Sequence, residues 1–396
     1  MKVVWLACFI ILAAIWYKDY QSLRGFMDDR VSKTLPINFN ALKLSTNSYI
    51  PVDEHLIKPN REPNPKFVKE NATLLMLCRN WELEEVLQSM RSLEDRFNGR
   101  YQYTWTFLND VPFEKQFIQE TTLMASGKTQ YALISSTDWN RPSFINETRF
   151  EQNLIQSEKD DIIYGGSPSY RNMCRFNSGF FYKQKILDQY DYYFRVEPGV
   201  EYFCDLEEDP FRYMRLHDKK YGFVISLYEY ENTIPTLWQT VEKFIENHPE
   251  YIHPNNSYEF LTDKEVVGPL GLVALTEQTY NLCHFWSNFE IGDLNFFRSE
   301  KYEAFFQFLD QAGGFYYERW GDAPVHSIAV GILLDKRQIH HFENIGYYHL
   351  PFSTCPQSYW SYKCNRCICK RNESIDLVPH SCLSKWWKYG GKTFLQ

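Results

Sequence analysis

Residues 73–78, TLLMLC, form a short unbroken apolar run, the pattern of a parallel strand buried on both faces. The next stretch, RNWELEEVLQSMRSLEDRF, changes period: Leu83, Val86, Leu87, Met90, Leu93 and Phe97 recur at helical spacing. YTWTFL (103–108) returns to strand character, so the folded body opens as strand, helix, strand, for which a right-handed crossover is expected. YYFRV (192–196) and YGFVISL (221–227) predict further strands. TIPTLWQTVEKFI predicts a helix starting near Pro235, and KYEAFFQFL and PVHSIAVGILL predict two later ones. Strands alternating with helices predict an α/β body around a largely parallel sheet. Ligands of such sheets bind beyond the carboxyl ends of the strands, where Arg79, Glu197 and Glu229 fall.

The amino-terminal pattern is different. VVWLACFIILAAIWY (3–17) is an apolar run of fifteen residues, short of the roughly 20 that a membrane span asks for. A cleaved signal peptide has an apolar core of this length. Trp5, Trp16 and Tyr17 sit at the edges like interfacial anchors, and no small-x-small cleavage pattern precedes Lys18. Residues 1–18 therefore read as a signal-anchor, with a cleaved signal as the alternative. Residues 19–68 carry Pro36, Pro51, Pro59, Pro63 and Pro65 without a sustained period and read as a stem. Residues 69–396 then make one large domain.

Four N-x-S/T sequons, at Asn71, Asn146, Asn255 and Asn372, fit a luminal body. Of ten cysteines, Cys8 lies in the apolar run and four crowd into CPQSYWSYKCNRCIC, within a Cys-rich segment at 355–382. Cys364 and Cys367 form one CxxC, half of a zinc site, but no second pair follows; disulfides in an oxidising lumen are the better reading, with one thiol left over. Aromatic residues at 17% imply a folded chain, and a net charge of −8 argues against nucleic acid as a partner. A local basic pocket for a nucleotide sugar remains compatible with that charge.

The chemistry concentrates in DYYFRVEPGVEYFCD. A strand delivers Glu197 to the sheet edge, Pro198 fixes the turn, and Gly199 removes a side chain that could crowd a ligand. Glu197 is then either a solvated acid after a strand or a ligand to a divalent ion bridging phosphates, which needs only one or two protein ligands. Glu201 and Asp205 read as ordinary surface acids.

SPSYRNMCRFNSGFFYKQKILDQYDYYFRVEPGVEYFCD, YGFVISLYEYENTIPTLW, CHFWSNFEIGDLNFFRS and GGFYYERWGDAPVHSIAVGILL resemble the fungal α-1,2-mannosyltransferases of glycosyltransferase family 15, from about residue 70 to 355. The resemblance implies a GT-A fold, a GDP-mannose donor, Mn2+ and retention at the anomeric carbon. It also implies a type II Golgi membrane protein acting on mannose chains of glycoproteins, O-linked, N-linked or both. Carried over by residue, Glu197 and His349 of IGYYHLPF are the metal ligands, and an imidazole beside oxygen ligands suits Mn2+. Tyr170 matches a donor-site tyrosine; Arg171 and Arg175 are nearby cations for the diphosphate, and Arg79 is a further base or phosphate contact. Glu290 of WSNFEIGD is expected on the β face of the sugar as nucleophile or electrostatic stabiliser. Asp322 of RWGDAP is expected at the acceptor hydroxyl, with helix N-capping before Pro324 as its competing structural role. Glu229 is expected to bind sugar hydroxyls, and Trp286 and Trp320 to stack on sugar or fill the core. A mannosylphosphate transferase of the same fold and an inactive mannose-binding relative are the alternatives; Glu197, His349, Glu290 and Asp322 are all present, which favours an enzyme. Gly199 and the tail beyond residue 355 are where this chain departs from the pattern.

Overall fold

The computed structural model describes residues 68–264 and 279–390. The expected anchor and most of the expected stem lie outside these residues, and among the described ones no helix is long and apolar enough to cross a membrane. In chain order the described strands are β1 (Ala72–Leu77), β2 (Thr104–Asn109), β3 (Thr129–Leu133), β4 (Tyr192–Arg195), β5 (Glu201–Tyr202), β6 (Tyr221–Phe223), β7 (Ser226–Tyr228), β8 (Cys283–Phe285), β9 (Glu290–Asp293), β10 (Ile339–His341), β11 (Tyr347–His349) and β12 (Phe352–Thr354). Seven of them form one sheet in the order β10-β6-β9-β4-β1-β2-β3.

β1 pairs parallel with both β2 and β4, as its continuous apolar run predicts. Its alternate residues enter different cores: Leu74 and Met76 join one aromatic cluster with Val86, Met90 and Phe194, while Leu75 joins the other with Tyr193, Phe181 and Tyr221. The sheet is thus packed on both faces. The helix Leu83–Leu93 covers the first face with Val86, Met90 and Leu93, as its periodicity predicts.

Three features differ from the expectation. β9 is antiparallel to both β4 and β6, so the sheet is mixed. YGFVISL breaks into β6 and β7, and β7 leaves to pair with β8 in a separate two-stranded sheet. Pro235 also lies before the helix Leu237–Asn247, whose N-cap is Thr236, rather than in its first turn.

A third sheet, β12-β11-β5, is small but decisive for position. Gly199 has φ +78 and an added Cβ would meet nothing within 4 Å. The glycine therefore serves the left-handed turn after Pro198, rather than relieving crowding by protein. That turn sends the chain into β5, where Tyr202 and Glu201 pair with Tyr347 and Tyr348 of β11. The next residue of β11 is His349, so this ladder carries His349 to Glu197. Asp205, expected as a surface acid, is buried because Arg96 donates to it at 2.8 Å and Arg366 pairs with its other oxygen.

Of three disulfides among the described residues, Cys204–Cys367 and Cys283–Cys382 tie the carboxyl-terminal segment to the body, and Cys355–Cys369 closes a loop within it. The CxxC is neither a zinc half-site nor an internal pair, since Cys367 is bonded to Cys204 and Cys364 is exposed and free. Cys78 and Cys174 are also free but buried, so three thiols remain rather than the one expected. Burial pushes both buried thiols above their ordinary range, away from the reactive thiolate. Alkylation of the native protein should therefore label Cys364 and spare Cys78 and Cys174 until denaturant is added; native labelling of either buried thiol, read by peptide mass spectrometry, would contradict this packing.

Candidate active site

A cavity of about 560 Å³ opens at the carboxyl ends of β1 and β4, within the size range of sites for small organic ligands. Arg79 and Glu197 line it, each two residues beyond a strand, and Glu229 lines it directly after β7.

Its floor is a charge network organised by Arg195. Tyr193 and Arg195 share one side of β4, and Glu197 follows two residues beyond its end. Arg195 lies directly opposite Glu290 of β9 in the ladder, so the two side chains share a face. Arg195 Nη1 donates to Asp322 Oδ2 at 2.6 Å, Nη2 donates to Glu197 Oε1 at 2.6 Å, and Nη1 stands 3.7 Å from Glu290 Oε1.

Glu290 is 1% exposed and held on every side. The Tyr193 hydroxyl donates to Oε1 at 3.0 Å, the Tyr221 hydroxyl donates to Oε2 at 2.9 Å, and His326 Nδ1 lies 3.0 Å from Oε2. The other nitrogen of His326 faces the Asn177 carbonyl at 2.9 Å. Gly292 makes room for this arrangement: a Cβ there would stand 2.4 Å from Tyr193 Cε1. Asp322 is the first residue of the helix Asp322–Leu333, whose N-cap is Gly321, so its side chain is not the cap. Ser287 Oγ donates to the same Oδ2 that Arg195 engages, at 2.8 Å.

Glu197 and His349 meet at one end of this network, with Nε2 3.4 Å from Oε2. The Leu350 carbonyl lies 2.9 Å from His349 Nδ1, which fixes Nδ1 as donor and leaves Nε2 facing Glu197. Trp286 packs edge-on against the imidazole at 4.9 Å and holds its plane. Burial opposes ionisation of Glu197, but Arg195 and His349 outweigh it and hold the carboxyl down to about 2. Burial likewise opposes the His349 imidazolium, and Glu197 outweighs it to raise its pKa. One carboxylate oxygen and one imidazole nitrogen, oriented together at a cavity wall, fit a divalent ion that takes its remaining ligands from phosphate and water. No group of three or more such ligands exists among the described residues.

The helix Pro168–Gly179 forms another wall. Ser167 caps it by accepting from the Tyr170 N–H at 3.2 Å. Tyr170, Met173 and Asn177 lie on its cavity side at helical spacing. Arg171 and Arg175, four apart, share a different side, and the structure does not bring them to the cavity. Arg171 donates to the Glu318 carbonyl at 3.0 Å and to the Gly165 carbonyl; Arg175 makes a two-pronged pair with Asp310 at 2.7 and 2.8 Å. Both guanidiniums face partners away from the cavity, which corrects the expectation that they meet a diphosphate. Trp320 is 1% exposed in the core, donating to Glu318 at 2.6 Å, whereas Trp286 lines the cavity. Arg79 lines the cavity too, with its guanidinium stacked 4.7 Å over Trp139 and paired with Asp110.

Known proteins resemble this chain over most of its length. The family model described as glycolipid 2-alpha-mannosyltransferase matches residues 34–391. The chain belongs to this family, glycosyltransferase family 15. It is 60% identical over 365 residues to the probable mannosyltransferase YUR1 of Saccharomyces cerevisiae, covering 90% of this chain and 85% of that protein. It is 51% identical over 322 residues to O-glycoside alpha-1,2-mannosyltransferase homolog 3 of Schizosaccharomyces pombe, covering 81% and 83%. The crystal structure of core-mannan synthase A from Aspergillus fumigatus in its Mn/GDP form superposes with a TM-score of 0.77 at 40% identity, covering 85% of this chain and 89% of that one. The fold is accordingly the GT-A arrangement, and the protein is a mannosyltransferase.

For a family 15 enzyme, several residues escaped the sequence reading. Arg195 was visible only as a lone charge in an aromatic strand, two residues before Glu197 and so on the same side. His326 stood out as a lone imidazole in the apolar run PVHSIAVGILL. Tyr193 and Tyr221 carried no signal beyond strand character. Removing the central cation leaves buried carboxylates uncompensated, so Arg195→Met should lower the unfolding free energy by about 3–5 kcal/mol, measured by urea denaturation. The Glu197 carboxylate acts with opposite pH logic to a histidine. Its stabilisation is present above its ordinary pKa and lost as pH falls through about 2, so wild-type stability should drop on acidification more than that of Glu197→Gln.

Proposed function

We propose that this enzyme transfers mannose from GDP-mannose, with retention, to the 2-hydroxyl of an α-mannoside on O-linked or N-linked chains of glycoproteins. The observation that carries the reading is the juxtaposition of the Glu197–His349 corner with Glu290 and Asp322 through one arginine. The relative solved with Mn and GDP supports both the metal and the nucleotide. The relatives' names support the α-1,2 linkage.

Glu197 and His349 would hold Mn2+, which when bound neutralises diphosphate charge as a Lewis acid. Tyr170 stays a hydroxyl donor, since burial pushes it well above its usual range. Both described donors to Asp322 engage Oδ2, so Oδ1 is the oxygen left to accept from the acceptor hydroxyl and orient it. Glu290 has both oxygens occupied by tyrosine and histidine partners, which suits a fixed negative charge beneath an oxocarbenium ion better than an attacking nucleophile. Glu229 contributes a carboxylate for sugar hydroxyls.

Three disulfides support an oxidising compartment, and the expected signal-anchor supports a type II Golgi membrane protein with its catalytic domain in the lumen. The purified full-length enzyme in detergent should transfer mannose from GDP-mannose, and no sugar from UDP-sugars, to a mannoside with Mn2+, giving an α-1,2 product and stopping with chelator. Glu197→Ala should abolish this turnover while keeping a cooperative melt; an active Ala variant would sink the metal assignment.

A further inference from the structure

With Arg171 and Arg175 consumed elsewhere, the donor's diphosphate needs another cation. Among the described residues three arginines line the cavity: Arg79, Arg195 and Arg319. The first two are committed. Arg79 is paired with Asp110 and also donates to Asn109 at 3.1 Å, and Arg195 makes two 2.6 Å contacts with carboxylates.

Arg319 differs. It is 5% exposed, yet its Nε has no hydrogen-bond partner among the described residues. Its closest carboxylate is Glu229, at 3.7 Å from Nη2, beyond hydrogen-bond distance. Its one described side-chain hydrogen bond is a long 3.4 Å donation from Nη1 to the Tyr170 hydroxyl, with the guanidinium 5.5 Å from that ring's centre. A buried guanidinium with unused donors at a cavity wall costs free energy unless an acceptor arrives. Its backbone is fixed by donation of the Arg319 N–H to the Thr233 carbonyl at 3.1 Å, so it is held in place to wait for one.

We propose that Arg319 is a donor-site residue that hydrogen-bonds the β-phosphate of the nucleotide and steadies the charge released there; this rests on the GDP-mannose reading above. Its neighbours place it. Tyr170 stands on one side and Glu229 on the other, with Asp322 following three residues later at the same wall. The sugar must lie against those acids, and the β-phosphate is the phosphate joined to the sugar. When the bond from the anomeric carbon to the phosphate oxygen breaks, its electron pair stays on that oxygen. The acceptor oxygen bonds to the anomeric carbon and the acceptor's proton passes to the departing diphosphate. Arg319 keeps its own protons throughout and donates hydrogen bonds to the oxygen that gains charge, a charge-assisted contact whose planar fork lysine matches poorly.

The test is calorimetric titration of the Mn2+-loaded full-length protein with GDP and with GMP, for wild type, Arg319→Gln and Arg319→Lys, beside steady-state kinetics. Arg319→Gln should weaken GDP binding by about 10- to 100-fold, as a lost charged hydrogen bond does, and leave GMP binding within about twofold. Arg319→Lys should recover part of the GDP affinity, and it carries the test if the Gln variant fails to fold. GDP affinity unchanged while the acceptor KM rises would overturn the proposal and make Arg319 and Glu229 a sugar subsite. Equal losses for GDP and GMP would also overturn it. Wild-type protein that binds no GDP at all would instead overturn the underlying nucleotide reading.

Discussion

Three acids of this active site depend on the Arg195 guanidinium. Asp322 and Glu197 each take one of its arms at 2.6 Å, and Glu290 sits beyond at 3.7 Å. Three carboxylates this close would repel one another strongly in a medium of low dielectric, and the shared cation offsets that repulsion. The cation is available because Arg195 and Glu290 are register partners across the antiparallel β4–β9 pair. Backbone hydrogen bonds thereby set the separation of the charges. An open loop could not hold three acids at such spacing, since side-chain entropy would let each swing toward water.

The second constraint is the short sheet that brings His349 to Glu197. β5 has two residues and could not persist alone. It is braced at its end by Cys204–Cys367, and Ile368 N–H donates to the Phe203 carbonyl at 3.0 Å. The tail beyond residue 355, which the family model matches as far as residue 391, thus reaches the Glu197–His349 corner mechanically, through β5 and β11. It reaches the opposite wall as well: Cys283–Cys382 joins β8 to the segment that places His380 at the cavity. Variation in the tail can alter the cavity's rim without touching the charges at its floor.

How far this was legible in the sequence follows from what each residue must do. TLLMLC announces β1 because both faces of the sheet need apolar side chains, and Glu197 follows from an acid placed after such a strand. β9 was hidden because EIGD carries two acids and a glycine, all poor strand formers. Glu290 is there for Arg195, Asp293 for Lys220 and the glycine for the ring of Tyr193, none of which is near it in sequence. Arg171 and Arg175 were misplaced for a related reason. Proximity to Tyr170 along a helix says nothing about direction, and a one-residue step turns a side chain by about 100°. Arg319, in contrast, lies 149 residues from Tyr170 and touches it.

The composition of the cavity explains why a metal suits this family beyond its chemistry as a Lewis acid. The cavity wall holds Glu82, Glu197, Glu229, Glu290 and Asp322 against Arg79, Arg195 and Arg319. Five carboxylates against three arginines present a negative surface to a diphosphate, which is itself an anion. Such a ligand enters only if it brings positive charge with it. A divalent ion held by Glu197 and His349 would add its charge while engaging one acid, and the remaining acids would still face the sugar. The acids that make the site good at stabilising an oxocarbenium ion are the same ones that make it poor at binding the donor unaided. A corner with two protein ligands would resolve the conflict, because it would take metal and diphosphate together and leave the ion's remaining positions to phosphate and water.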